Sequence, residues 1–166
     1  MSTSLVSLAS LVNAFNPVTP QLRVAAIIVR GVQILLVEHR KRGEHYWVLP
    51  GGRLEGLETL EAALRRELSE ELGLDARVGE LVIVSEMLAP DRHVVNLMFH
   101  AEIEEGAEPR LDRADPVLAG WQWVSTDQLP RLDFRPPIAD AVRAVTAENF
   151  AGRVRLLGDI WKPQDR

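Results

Sequence analysis

The stretch from Pro50 to Leu74 constrains the fold more than any other, because the spacing of its apolar residues changes period twice. Trp47-Val48-Leu49 runs into Pro50-Gly51-Gly52, a turn that needs the backbone freedom of glycine. From Leu57 to Leu72 the pattern is helical, with Leu60, Leu64, Leu68 and Leu72 in one apolar stripe and Gly73 placed as a C-cap. On either side the chain reads as strand. Val24 to Val29 and Val32 to Val37 are aliphatic runs separated by Arg30-Gly31, which predicts a hairpin buried on both faces. Val78 to Leu88 and Val94 to Ile103 read as two long strands, and Gly120 to Val124 as the final one. Strands interrupted by helices imply a layered α/β domain.

The remaining segments frame that domain, which is expected over residues 21–150. Residues 1–20 read as a leader or a short helix, since Leu5, Leu8, Leu11, Val12 and Phe15 recur at helical spacing before two prolines. Residues 151–166 read as an extension, with Leu156 to Trp161 covering an apolar surface of the domain or of a second subunit, so a homodimer stays open. His39 to Tyr46 is polar and basic and is expected to be a loop, as is the charged segment from Glu104 to Asp115. Ser125-Thr126-Asp127-Gln128 has the spacing of a capping box and should open a short helix. A second helix is expected after Pro136-Pro137, with Ile138, Ala141, Val142 and Val145 on one face. Of Trp121 and Trp123, at most one is expected to line a cleft and at least one to belong to the core.

The helix also carries acid. At about 100° per residue, Glu67, Glu70 and Glu71 fall within an arc of roughly 100°, beside the leucine stripe. Like charges so placed repel by a few tenths of a kcal/mol per pair, and more where they lose water. A hard divalent cation would offset that repulsion. Taken alone, a Glu-rich helix reads as an ordinary charged surface, with Arg65 and Arg66 pairing with its glutamates. The upstream spacing overrules that reading: Gly52, five residues, Glu58, seven residues, Arg66-Glu67-Leu68-Ser69-Glu70-Glu71-Leu72-Gly73-Leu74. This 23-residue segment resembles the Nudix box at every specified position, and the likeness extends more loosely over residues 22–148.

The resemblance implies an α/β/α sandwich with a mixed β-sheet and hydrolysis of a phosphoanhydride bond by attack of water on phosphorus. It implies Mg²⁺ or Mn²⁺ held by Glu67 and Glu71, with Glu70 a further ligand or base and the Gly51 carbonyl another ligand. It also implies an ion pair of Arg66 with Glu58 that orients the cluster, and a supporting role for Gly52. A small nucleotide is the expected substrate, an ADP-ribose or nucleotide-sugar type first, partly because Pro90 lies 16 residues past the box. The alternatives are a nucleoside di- or triphosphate or RNA 5′-end hydrolase with the same site, and a non-catalytic nucleotide sensor. Glu104, Glu105, Glu108, Asp112 and Asp115 are the loop candidates for a base, none singled out. Arg23, His39, Arg40, Lys41, Arg42 and His45 could meet phosphate or sugar, or simply be solvated.

Composition narrows this further. The absence of cysteine removes thiolate metal sites and the cysteine-dependent isomerases of the same family, and suits a cytoplasmic protein. A net charge of −5 disfavours broad nucleic-acid binding. No apolar run reaches the roughly 20 residues of a membrane-spanning helix.

Overall fold

Successive side chains point to opposite faces along the expected strands, and in the two central ones consecutive residues are buried, Ala26 to Ile28 and Ile34 to Val37, so the sheet is covered on both sides. The computed structural model describes residues 18–111 and 115–160, so the helical spacing of Leu5 to Phe15, Asp112 and Trp161 lie outside it. β1 (Gln21–Arg30) and β2 (Gln33–Lys41) turn at Gly31, with Val29 opposite Ile34. Away from that turn the two strands diverge. β1 runs antiparallel to β4 (Gly51–Arg53) and parallel to β6 (Arg92–Ile103), whereas β2 lies antiparallel to both β3 (Glu44–Val48) and β7 (Leu118–Ser125). β5 (Ala76–Ala89) joins β6 antiparallel, and β8 (Arg155–Asp159) joins β5 parallel. The result is a mixed sheet ordered β3-β2-β1-β6-β5-β8, with β4 attached to β1 and β7 to β2.

Its two faces carry separate cores. Val24, Ala26, Ile28, Leu35 and Val37 face α1 (Leu60–Leu72), whose Ala63, Leu64, Leu68 and Leu72 are fully buried. Ile27, Ile34, Leu36, Met98 and Ile83 face α2 (Ala139–Ala147), which contributes Val142 and Val145. Each fully buried leucine of α1 contributes on the order of 1.5–3 kcal/mol relative to exposure. This is the expected α/β/α layering, and it fixes one face of α1 to within a side chain's play. Among the described residues no helix is long and apolar enough to cross a membrane.

Several local expectations are corrected. His39 to Tyr46 is no loop: β2 continues to Lys41, turns at Arg42-Gly43 with positive φ, and returns as β3. Its polarity reflects exposure at a sheet edge, where backbone pairing alone defines the strand. Gly120 to Val124 is not the final strand, because Arg155–Asp159 pairs with β5 through Ile83 opposite Arg155 and Val84 opposite Leu156. The capping box is not made: Thr126–Arg131 is a 3₁₀ helix whose Ser125 side chain makes no cap hydrogen bond. Trp121 and Trp123 both pack against the α1-side core, since residues two apart on a strand share a face.

Candidate active site

The glycine pair before α1 lets helix and sheet meet closely. Thr59 caps α1, its hydroxyl accepting from the Ala62 N–H at 3.1 Å, and Gly73 ends it at φ 61°. Gly52 lies opposite Val24 and so faces α1; a Cβ there would overlap the carboxylate of Glu67. Glu67 therefore occupies a recess that only glycine leaves open. Its side chain is 13% exposed, against 62% for Glu70. Gly51 sits at φ 137°, where an added Cβ would meet Val24 O, and its N–H donates to Glu71 Oε2 at 3.3 Å.

Arg66 organises the rest. Its guanidinium donates to both oxygens of Glu58, from Nη2 at 2.8 Å and Nε at 3.1 Å. It also donates to Glu67 Oε1 at 3.0 Å, to Glu70 Oε2 at 3.2 Å and to the Arg53 carbonyl at 3.1 Å. The Glu58 contact holds the Arg66 proton more tightly than usual and Glu58 below the usual carboxylate range. Arg65 turns away to Asp75 at 3.1 Å. So Glu67 and Glu71 face β4 and Glu70 stands outward. Among the described residues no three carboxylates or imidazoles converge on one point, because Arg66 draws Glu67 and Glu70 while Gly51 draws Glu71.

Burial pushes the Glu71 carboxyl up to about 7, against the Gly51 hydrogen bond and with help from the charge of Glu67. Arg23 and Asp115 act on it from opposite sides of the balance, and both act also on His39, which burial holds below the usual imidazole value. Backbone bonds explain the convergence: Asp115 Oδ1 accepts from the Val117 N–H at 2.7 Å, and the Val117 carbonyl accepts from the Arg40 N–H at 2.8 Å. Of the other loop acids, Glu108 is paired with Arg30 at 2.8 Å, and Glu104 and Glu105 face solvent. Among the basic candidates, His45 pairs with Glu38 at 2.9 Å, and Arg40, Lys41 and Arg42 are exposed. Pro90 occupies the two-residue β5–β6 turn, which accounts for it without a ligand. Sequence reasoning missed Arg53, which the β1–β4 pairing sets opposite Arg23.

A divalent cation fits this chemistry. The donors are hard oxygens, partly desolvated, with a mutual repulsion that a cation would relieve.

Known proteins are similar to this chain in sequence and in fold. A model of the NUDIX domain matches residues 19–145. Phosphatase NudJ of Escherichia coli strain K12 is 30% identical over 127 residues, which span 75% of this chain and 82% of that one. The solution structure of the E. coli ORF135 protein is similar with a TM-score of 0.68 at 27% identity, over 81% of this chain and 96% of that one. The crystal structure of a MutT NUDIX hydrolase from Burkholderia pseudomallei is similar with a TM-score of 0.65 at 30% identity, over 76% and 98%.

Proposed function

Because the chain belongs to the Nudix family, and so is a pyrophosphohydrolase of phosphoanhydride bonds, we propose that Glu67, Glu71 and Glu70 hold its divalent metal and that its substrate is a nucleoside diphosphate joined to a second group. The observation that carries this is Glu67 seated over Gly52 while Glu71 accepts from Gly51. Two partly buried carboxylates are thereby held at one edge of the sheet. The Gly51 carbonyl is a fourth candidate ligand. Bound there, Mg²⁺ or Mn²⁺ would acidify a water, neutralise phosphate oxygens and align the displacement.

The chain's own residues do the remainder. Arg66, fixed by Glu58, orients Glu67 and Glu70 and yields them as the substrate complex forms. Glu70, the outward-facing carboxylate, or Asp115, whose charge reaches Glu71, would accept the proton of the attacking water. ADP-ribose and nucleotide sugars are the first class to test. A second class, nucleoside di- and triphosphates, draws support from the similarity to a protein named as a phosphatase.

Product release should be measured with Mg²⁺, with Mn²⁺ and with excess chelator, across ADP-ribose, nucleotide sugars, nucleoside di- and triphosphates and capped RNA. We expect one class to be cleaved only with metal, and Glu71→Gln to lower that turnover about a hundredfold or more while the protein stays folded. A fully active Glu70→Gln, Glu71→Gln double variant would remove these carboxylates from the reaction.

A further inference from the structure

One row of paired residues crosses four strands on the sheet face opposite the acidic helix. Arg53 of β4 lies opposite Arg23 of β1, Arg23 opposite Asn96 of β6, and Asn96 opposite Ser85 of β5. Residues directly opposed across strands point to the same side of a sheet, so these four side chains form one strip. Alternation assigns the side: Ile27, Met98 and Ile83, each an even number of residues away on the same strands, belong to the α2-side core. The strip is where that face changes from apolar to polar.

The fold alone does not account for its contents. Like charges opposed across strands are destabilising. Yet Arg23 and Arg53 stand opposed, and among the described residues neither side chain makes a hydrogen bond or ion pair; Arg53 contributes only its carbonyl to Arg66. At the other end Ser85 is fully buried, and the Asn96 amide reaches its hydroxyl only at 3.5 Å, the outer limit of a hydrogen bond. From β4 to β5 the strip thus passes from exposed cation to half-buried cation, half-buried amide and buried hydroxyl. Its charged end reaches the acid cluster around the end of the sheet, because Glu71 accepts from the Gly51 N–H, two residues along β4 from Arg53, and feels the charge of Arg23.

We propose that this strip binds the substrate, with Arg23 and Arg53 taking a phosphate and Asn96 with Ser85 taking an uncharged hydrogen-bonding group of the organic part. The assignment rests on the reading of α1 as the metal face. A phosphate between the two guanidiniums turns cross-strand repulsion into two charge-assisted contacts. The amide and hydroxyl beyond them suit a sugar hydroxyl or a heterocycle edge. The ligand class is an organic diphosphate lying across β4, β1, β6 and β5, its anionic end at the end of the sheet towards Glu71.

Calorimetric titration in Mg²⁺ with two probes tests this: inorganic pyrophosphate, and the α,β-methylene analogue of ADP, whose bridge resists hydrolysis. Arg23→Gln and Arg53→Gln should each weaken both probes about tenfold or more. Asn96→Ala should weaken the analogue several-fold and leave pyrophosphate unchanged. The ligand-free melting temperature of the Arg53 variant should equal or exceed that of the wild type, since it removes a repulsion, whereas Arg23→Gln also removes an attraction to Glu71; an Arg53 serving the fold would show a loss. Arg53 is exposed, so its variant remains informative whatever Arg23→Gln does to folding. Pyrophosphate binding unchanged in both arginine variants, or no binding of either probe to the wild type, overturns the proposal. Probe binding that follows the stated pattern without turnover of any diphosphate would sink the proposed reaction and leave the strip. Metal-dependent turnover indifferent to Arg23 and Arg53 would do the reverse.

Discussion

Gly51 and Gly52 are adjacent and buried, yet a methyl group would act differently at each. At Gly51 the φ of 137° suits glycine alone, and an added Cβ would meet the Val24 carbonyl and Ala25 Cα, backbone atoms that cannot retreat. Gly51→Ala should cost about 3 kcal/mol or more in a denaturant titration. At Gly52 the added Cβ would meet only the Glu67 carboxylate, the mobile end of a long side chain. Gly52→Ala should unfold within about 1 kcal/mol of the wild type. Its turnover should nevertheless fall about a hundredfold if Glu67 holds the metal as proposed, because a ligand displaced by an ångström loses its alignment. Equal losses of stability at both positions would mean that Glu67 does not lie over Gly52. The sequence marks the two glycines alike as turn residues. What separates them, β1 on one side and α1 on the other, is tertiary. Arg53 stayed hidden for the same reason, since its partner Arg23 is 30 residues earlier.

α1 was the most legible element, because its stripe, its acidic arc and its terminal glycine all repeat within one short window. Only its start was misjudged: Leu57 fits the helical spacing but is fully exposed, and the helix begins after Thr59, whose hydroxyl supplies the cap. Thr59→Ala should therefore cost about 1 kcal/mol of unfolding free energy, with kcat/KM unchanged because that hydroxyl bonds only the Ala62 N–H. Leu68→Ala, at a fully buried position under the acidic arc, should cost about 2–5 kcal/mol. Urea titrations paired with initial rates separate the two; a Thr59→Ala enzyme that loses activity in step with stability would tie the cap to the site. β3 and β8 were far less legible. Each is a short strand at an edge of the sheet, one polar and one holding a glycine, so neither shows a strong apolar period. Their identity comes from the neighbour they pair with, β2 and β5, and no local pattern announces it.

Across the whole molecule, the layered α/β architecture could be read from the order of periods, but not the divergence of β1 from β2, which sets Glu71, Arg23, His39 and Asp115 within reach of one another's charge. That crowding makes stability depend on pH and metal together. Burial, with the charge of Glu67 and against the Gly51 hydrogen bond, raises Glu71 from an ordinary 4.5 to about 7. Below pH 4.5 the carboxyl is protonated in both folded and unfolded chains, and its full contribution is present. As pH rises the unfolded chain releases that proton first, so stability falls until pH passes about 7 and then levels. At 1.36 kcal/mol per pH unit the loss is about 3 kcal/mol at most. Denaturant titrations in excess chelator from pH 5 to 8 should show this decline, and Glu71→Gln should flatten it. On the proposed site, saturating Mg²⁺ should act in the opposite sense, because it would bind the ionised carboxylates of the folded chain: at a hundred times its Kd it would add about 2.7 kcal/mol. For a domain of this size that raises the melting temperature by roughly 5–10 °C at pH 8. The increment should shrink towards pH 5, where protons compete for Glu71. A metal increment that stays the same from pH 5 to 8, and in Glu71→Gln, would place the cation on other groups.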